Sequence, residues 1–286
     1  MFRTLIALSL TLTLSATLRA ETFRLGLLHG DRDVFAYEIS VIRLALEYAP
    51  GDHELILVPL WDAPQNRIFR LLEEGRGQIN VFFSGYSPER ESRFLRVDVP
   101  MTRGLLGYRL LVAPQEHIEA LSRIRTVEDL QNIVIGSGIG WPDNDYLEAN
   151  GLTLSISQYA NLWPMLKRGR FDAFHRGVQE VYEELRKPQN QGLAIVPDIA
   201  LRFRYDYFLF VNPARSDLHR ILTDGFARAY EMGALDRHFT TAPRIHEALT
   251  RSQLNRRIII SLETPEAYRS LNEIADKFWY TPDAMQ

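Results

Sequence analysis

Four short runs carry the residues of this 286-residue chain whose types and spacing suit chemistry. Each follows an apolar stretch of strand length: HGDRD after TFRLGLL, SGYSPER after QINVFF, GSGIGWPDND after NIVIG, and FHRGV after FDAF. Arg90 in the second run and Arg176 in the fourth offer planar forks of donors matched to a carboxylate. Ser84 lies just before Arg90, and Asp31 supplies an acceptor in the first run. In the third run, Gly136, Gly138 and Gly140 precede a helix opening near Pro142, so the backbone of Ser137, Gly138 and Gly140 is a candidate donor set for an anion. Its GxGxG spacing is not the GxGxxG of a dinucleotide site, and no acidic strand end follows about 20 residues on, so no cofactor is expected. Trp61, Tyr86 and Trp141 stand beside strand ends and are expected to wall a ligand.

Catalytic patterns are missing from the sequence. It has no HExxH, no paired His/Cys metal spacing and no GxSxG elbow. Were the chain an enzyme, His175, Glu180 and Asp31 would be the acid/base candidates; the expectation is that it is not one and holds no metal. Arg176 raises a sharper question, because an isolated buried cation costs several kcal/mol. It needs either a protein partner such as Asp145 or Asp206, or an anionic ligand.

The elements that must position these runs alternate strand and helix with short connections, which predicts mostly parallel sheets flanked by helices. LGYRLLVAP and RYDYFLFVN are long strands joining two such units, so the chain leaves one lobe, builds another and returns. Ligands of open α/β sheets sit beyond the carboxyl ends of the strands; two lobes facing each other would bring all four runs to one cleft. The first 20 residues have Arg3, an uncharged run Leu5–Leu14 and small residues ending at Ala20, which reads as a cleaved secretory signal. No later stretch is apolar enough to span a bilayer, which needs about 20 residues. There is no cysteine, hence no disulfide framework. A net charge of −3 without a basic face argues against nucleic acid.

The runs SGYSPERESRFLRVDVP, TVEDLQNIVIGSGIG, LWPMLKRGRFDAF and RYDYFLFVNPARSDLHRILTDGFARAYEMGALDRHF, in that order, resemble the family 3 periplasmic solute-binding proteins. These are receptors of polar-amino-acid ABC importers with the type 2 periplasmic binding fold. The tail is similar to that of an uncharacterised exported proteobacterial branch. The resemblance implies that Arg90 grips a ligand carboxylate and that the SGIG loop helps, with Ile139 where a threonine is usual. It also implies that Gly177 stands where the family binds the ligand's ammonium with an aspartate, with Arg176 beside it. On that basis ordinary α-amino acids should bind less well than anionic solutes.

The expectation is therefore a two-lobed α/β protein: signal 1–20, lobe one from 21–103 and 205–242, lobe two from 104–204, and a helical extension 243–286 packed on lobe one. It should act as a periplasmic monomer that closes on a small polar, carboxylate-bearing solute. An ABC permease or a membrane sensor would be its partner, with a dehydratase-like enzyme as the remaining alternative.

Overall fold

The computed structural model describes residues 20–281 apart from His29, Asp31, Asp62 and Arg76. The expected leader, up to Arg19, and the candidate Asp31 lie outside the described residues. The first unit runs β1 (Thr22–Leu28), α1 (Ala36–Tyr48), β2 (Glu54–Leu60), α2 (Gln65–Glu74), β3 (Val81–Gly85), α3 (Pro88–Arg93) and β4 (Leu95–Val97). The second runs β5 (Tyr108–Pro114), α4 (Ile118–Leu121), α5 (Val127–Leu130), β6 (Val134–Gly138), α6 (Asp143–Ala149) and β7 (Thr153–Ser157). It continues with α7 (Tyr159–Lys167), β8 (Ala173–Gly177), α8 (Val181–Arg186), β9 (Leu193–Ile195) and β10 (Ile199–Arg202). The chain then returns through β11 (Tyr207–Val211), α9 (Ser216–Glu231) and α10 (Ala234–Thr241), and ends with α11 (Pro243–Ser252) and β12 (Ile258–Ser261).

Two sheets result. Lobe one has the order β2-β1-β3-β11-β4; lobe two has β12-β10-β5-β8-β6-β7, with β9 also on β5. The parallel pairs are those of strand–helix–strand units, such as β1 with β2 and β6 with β7. The strands that enter lobe two and re-enter lobe one, β5 and β11, pair antiparallel with β8 and β3. Both sheets are therefore mixed. Their facing helices bury one continuous core rich in Phe, Leu, Ile and Val, which serves in place of disulfides in a chain without cysteine.

The chain passes between lobes at residues 98–107 and 203–206. Asp206 binds these passages together: its carboxylate accepts from Thr102 N and Oγ1, Gly104 N and Tyr207 N. Burial pushes its pKa up to about 7 in spite of those donors. At Gly107 the passages nearly touch, since a Cβ there would lie 2.1 Å from the carbonyl oxygen of Phe203. Gly107→Ala is accordingly expected to cost on the order of 1–3 kcal/mol in urea unfolding, as overpacking does. An unchanged midpoint would show that the passages part easily.

The extension was expected on lobe one, but its strand β12 instead joins the lobe-two sheet, parallel to β10 from Ile199↔Ile258 to Arg202↔Ser261. A run of apolar β-branched residues beside an open edge explains the choice. The chain after β12 then crosses back. Tyr268 donates to Asp145 Oδ2 of lobe two while its ring meets Tyr86 of lobe one edge-on. Arg204 donates to the carbonyls of Leu271 and Ile274 and lies 4.3 Å over the Trp279 ring. Tyr280 N reaches Arg103 O, and the Tyr280 ring meets Phe239 on α10. Residues 271–280 thus grip both passages.

Candidate functional site

The facing lobes enclose a narrow cleft lined by Gln65, Gly85, Tyr205 and Tyr207 from one side and the passages. Arg109, Trp141, Asp143, Tyr159, Arg176 and Glu184 line it from lobe two. It is nearly shut, with about 30 Å³ available to water centres, room for about two waters. A second space of about 40 Å³ adjoins it at Leu28, Gln65, Trp141 and Tyr159 and extends toward Ala63 and Ile139. Any larger solute requires the lobes to part.

Arg90 is placed by a short helix with a clear start. Ser87 caps α3 by accepting from Arg90 N, and Pro88 takes the first helical position, where no N–H is needed. The guanidinium is buried. Nη1 donates to Ser84 Oγ (2.9 Å) and Gly85 O (2.7 Å), and Nη2 to Gln65 Oε1 (2.9 Å) and, across the cleft, Gly140 O (2.9 Å). It stacks 4.5 Å from the Phe69 ring. No carboxylate pairs with it among the described residues, and burial pushes its pKa down to about 10. Arginine can only donate, so the atom of Gln65 facing it is the amide oxygen. That oxygen also accepts from Ser84. The Gln65 NH2 is left without a protein partner among the described residues, on a side chain that lines the cleft.

Arg176 has the partners that the sequence left open, but they are neither Asp145 nor Asp206. Nε and Nη2 form a fork with Glu184 at 2.7 Å each, and Nη2 lies 2.8 Å from Glu180 Oε2. Burial opposes its charge, and the two glutamates more than reverse that, holding its pKa well above the ordinary value. Tyr159 also donates to Glu184, and Tyr207 of lobe one donates to Glu180 at 2.5 Å. The side chain faces the cleft, over the Trp141 ring at 5.0 Å. FHRGV is not a turn after a strand as expected. β8 runs on through His175–Gly177, because the opposite strand continues to pair, Arg109 facing Gly177. His175 is consequently fully buried, with Nε2 at 2.9 Å from Ser137 Oγ, and burial together with Arg109 and Arg176 keeps its pKa well below the ordinary value.

The glycine loop also differs from expectation. Ser137 is fully buried and its hydroxyl is used by Asn144 and His175. Ile139 N and Trp141 N are taken by Ser157 O and Gly138 O. Gly138 is needed because a Cβ there would meet the Trp141 ring at 2.2 Å, and Gly140 because its φ is +73°. The loop therefore holds Trp141 against the cleft and turns the Gly140 carbonyl to Arg90. Tyr86 is not a cleft wall: its ring is buried beside Tyr268 and Phe208, and its hydroxyl donates to Glu91. Trp61 is 68% exposed, with its ring against Gly30, and does not line the cleft. Ser84 stands one layer behind, between Gln65 and Arg90.

Sequence reasoning missed Gln65, Arg109, Asp143, Tyr159, Glu184 and Tyr205. Arg109 lies on β5, 3% exposed, with Nη2 at 2.9 Å from Asp143 Oδ2 and Nη1 at 4.0 Å from Glu180 Oε2. Asp143, Arg109, Glu180, Arg176 and Glu184 thus form an alternating ladder of buried charges along the lobe-two wall. Asp143 and Glu184 do put carboxylates on the cleft, but each is paired with an arginine.

No protein-family profile and no curated protein matches the chain. Solved structures do match. An ancestral arginine-binding protein bound to arginine is 17% identical over 77% of this chain and 96% of its own, with a TM-score of 0.57. A histidine kinase sensor domain with similarity to periplasmic binding proteins is 18% identical over 77% and 94%, at 0.55. An amino acid ABC transporter substrate-binding protein from Streptococcus pneumoniae, bound to L-arginine, is 17% identical over 82% and 95%, at 0.55. The chain thus has the type 2 periplasmic binding fold, two α/β lobes about a cleft, and its structural neighbours are solute-binding proteins of amino acid ABC transporters. Among the described residues no helix is long and apolar enough to cross a membrane.

Proposed function

We propose that this protein is a periplasmic receptor that closes its lobes on a small polar solute bearing a carboxylate. The observation that carries the reading is Arg90: a desolvated guanidinium with neutral acceptors from both lobes and no carboxylate among the described residues. A solute carboxylate entering beside Gln65 would take hydrogen bonds from its NH2 and supply the opposite charge that Arg90 lacks among the described residues. Because Arg90 also holds Gly140 of the opposite lobe, the same group ties binding to closure. A solute that gains contacts from both lobes shifts the population toward the closed form. The aromatic walls, Trp141 and Tyr205, exclude water from the pair.

Delivery to an ABC importer is the reading we favour for the closed form. Sensing is the second reading, supported by the likeness to a histidine kinase sensor domain. A dehydratase-like activity has less support: His175 is sealed from the cleft by burial, and Glu180 is held by Arg176 and Tyr207. The test is a thermal-shift and calorimetric screen of small organic acids and amino acids, with Arg90→Lys as the variant. The wild type should be stabilised by carboxylates, and Arg90→Lys, which keeps the charge but loses the fork, should bind them at least tenfold more weakly. Stabilisation only by carboxylate-free solutes would sink the reading.

A further inference from the structure

The charges of the lobe-two wall restrict what the rest of the solute is made of. Arg176 is forked to Glu184 and touches Glu180, and Arg109 faces Asp143, so neither guanidinium is available to a second anion without breaking a buried pair. The same pairs occupy the carboxylates of Asp143, Glu180 and Glu184, so none of the three is free for a cation. At Arg109 and Asp143, however, the hydrogen bonding is incomplete. Arg109 Nε is buried with no acceptor among the described residues. Asp143 Oδ2 lies 2.9 Å from Arg109 Nη2 but receives no hydrogen bond of good geometry among the described residues, and His175 Nδ1 is 3.7 Å away. Both residues line the cleft. One wall position therefore offers a spare donor next to a spare acceptor, with the charges already cancelled.

Buried polar atoms of this kind are costly unless matched. The group that matches them accepts from Arg109 and donates to Asp143 while bringing no charge. We infer that the solute is a monocarboxylate whose second polar group is a neutral donor and acceptor, a primary carboxamide or its equivalent, seated on the Arg109–Asp143 pair. This deepens the proposed function and rests on it. A second carboxylate would face Asp143, and an ammonium would face Arg109. Discrimination of this sort is strong because a wrong group leaves buried partners unpaired.

The experiment is calorimetric titration of the full mature chain with two matched sets: succinate, succinamate and β-alanine, then glutarate, glutaramate and 4-aminobutyrate. In at least one set the carboxamide should bind at least tenfold more tightly than both charged members. Asp143→Asn should then shift the ranking at least tenfold toward the dicarboxylate, because Arg109 loses its counter-charge. If that variant does not fold, the wild-type ranking decides. A dicarboxylate or amino acid binding as well as the carboxamide overturns this inference and leaves the carboxylate reading standing. Binding of none of the six overturns this inference, and the broader screen of carboxylates then decides the proposed function.

Discussion

Arg176→Ala is expected to lower stability by on the order of 3–5 kcal/mol, the usual cost of removing one partner from a buried ion pair. The sequence alone left Arg176 with either a protein carboxylate or an anionic ligand as its partner. The structure gives the protein partners, and Glu180 and Glu184 are both buried and would keep their charges with their counter-ion gone. Tyr159 and Tyr207 would continue to donate to them, which reduces the loss without removing it. Urea unfolding at neutral pH reads the effect. Arg176→Met combined with Glu184→Leu should recover a measurable part of it, because the pair is then removed rather than broken. Alanine leaving the midpoint in place would mean that the ladder is a ligand site and not part of the framework.

Glu38 should make stability depend on pH in a direction opposite to that of surface carboxylates. It is fully buried on α1, and neither carboxylate oxygen has a hydrogen-bond partner among the described residues. Burial first, with Glu180 of lobe two and Asp206 of the passage adding repulsion, pushes its pKa from 4.5 up to about 8, while its own backbone N–H and Arg244 of α11 act against the rise. A raised folded value means that the native chain holds the proton more tightly than the unfolded one. The stabilisation is complete below about 4.5 and is lost as pH rises through about 8, amounting to on the order of 5 kcal/mol. Asp206, with a folded value of about 7, slopes the same way. Glu38→Gln should therefore show a smaller loss of unfolding free energy between pH 5 and pH 9 than the wild type. Equal losses in the two proteins would refute the assignment.

The architecture could be read from the sequence because hydrophobic periodicity and short connections fix the alternation of strand and helix. The start of α5 is equally local: Thr126 and Asp129 form a capping box three residues apart. The site was less legible. Side-chain direction depends on strand pairing, and no local signal shows that β8 continues through His175 and Arg176. Yet Glu180 and Glu184, four and eight residues after Arg176, were in view as its partners. A lone arginine in the apolar run LGYRLLVAP was a comparable signal for Arg109, since a buried guanidinium in a strand demands a carboxylate. Gln65 gave none, because its role is set by Arg90 from another element. Tyr86 and Trp61 were misjudged because the tail and the backbone of Gly30 decide where their rings lie.

The tail that grips both passages has a kinetic consequence. Besides the two passages at 98–107 and 203–206, the polypeptide runs from α10 to β12 and back again after Ser261, so four segments rather than two must flex whenever the halves swing apart. Such a joint slows capture and release together, and lengthens the residence of a trapped molecule without any new contact to it. Under the proposed function, such a joint suits a scarce solute that must survive the journey to its acceptor more than an abundant one that must be sampled quickly.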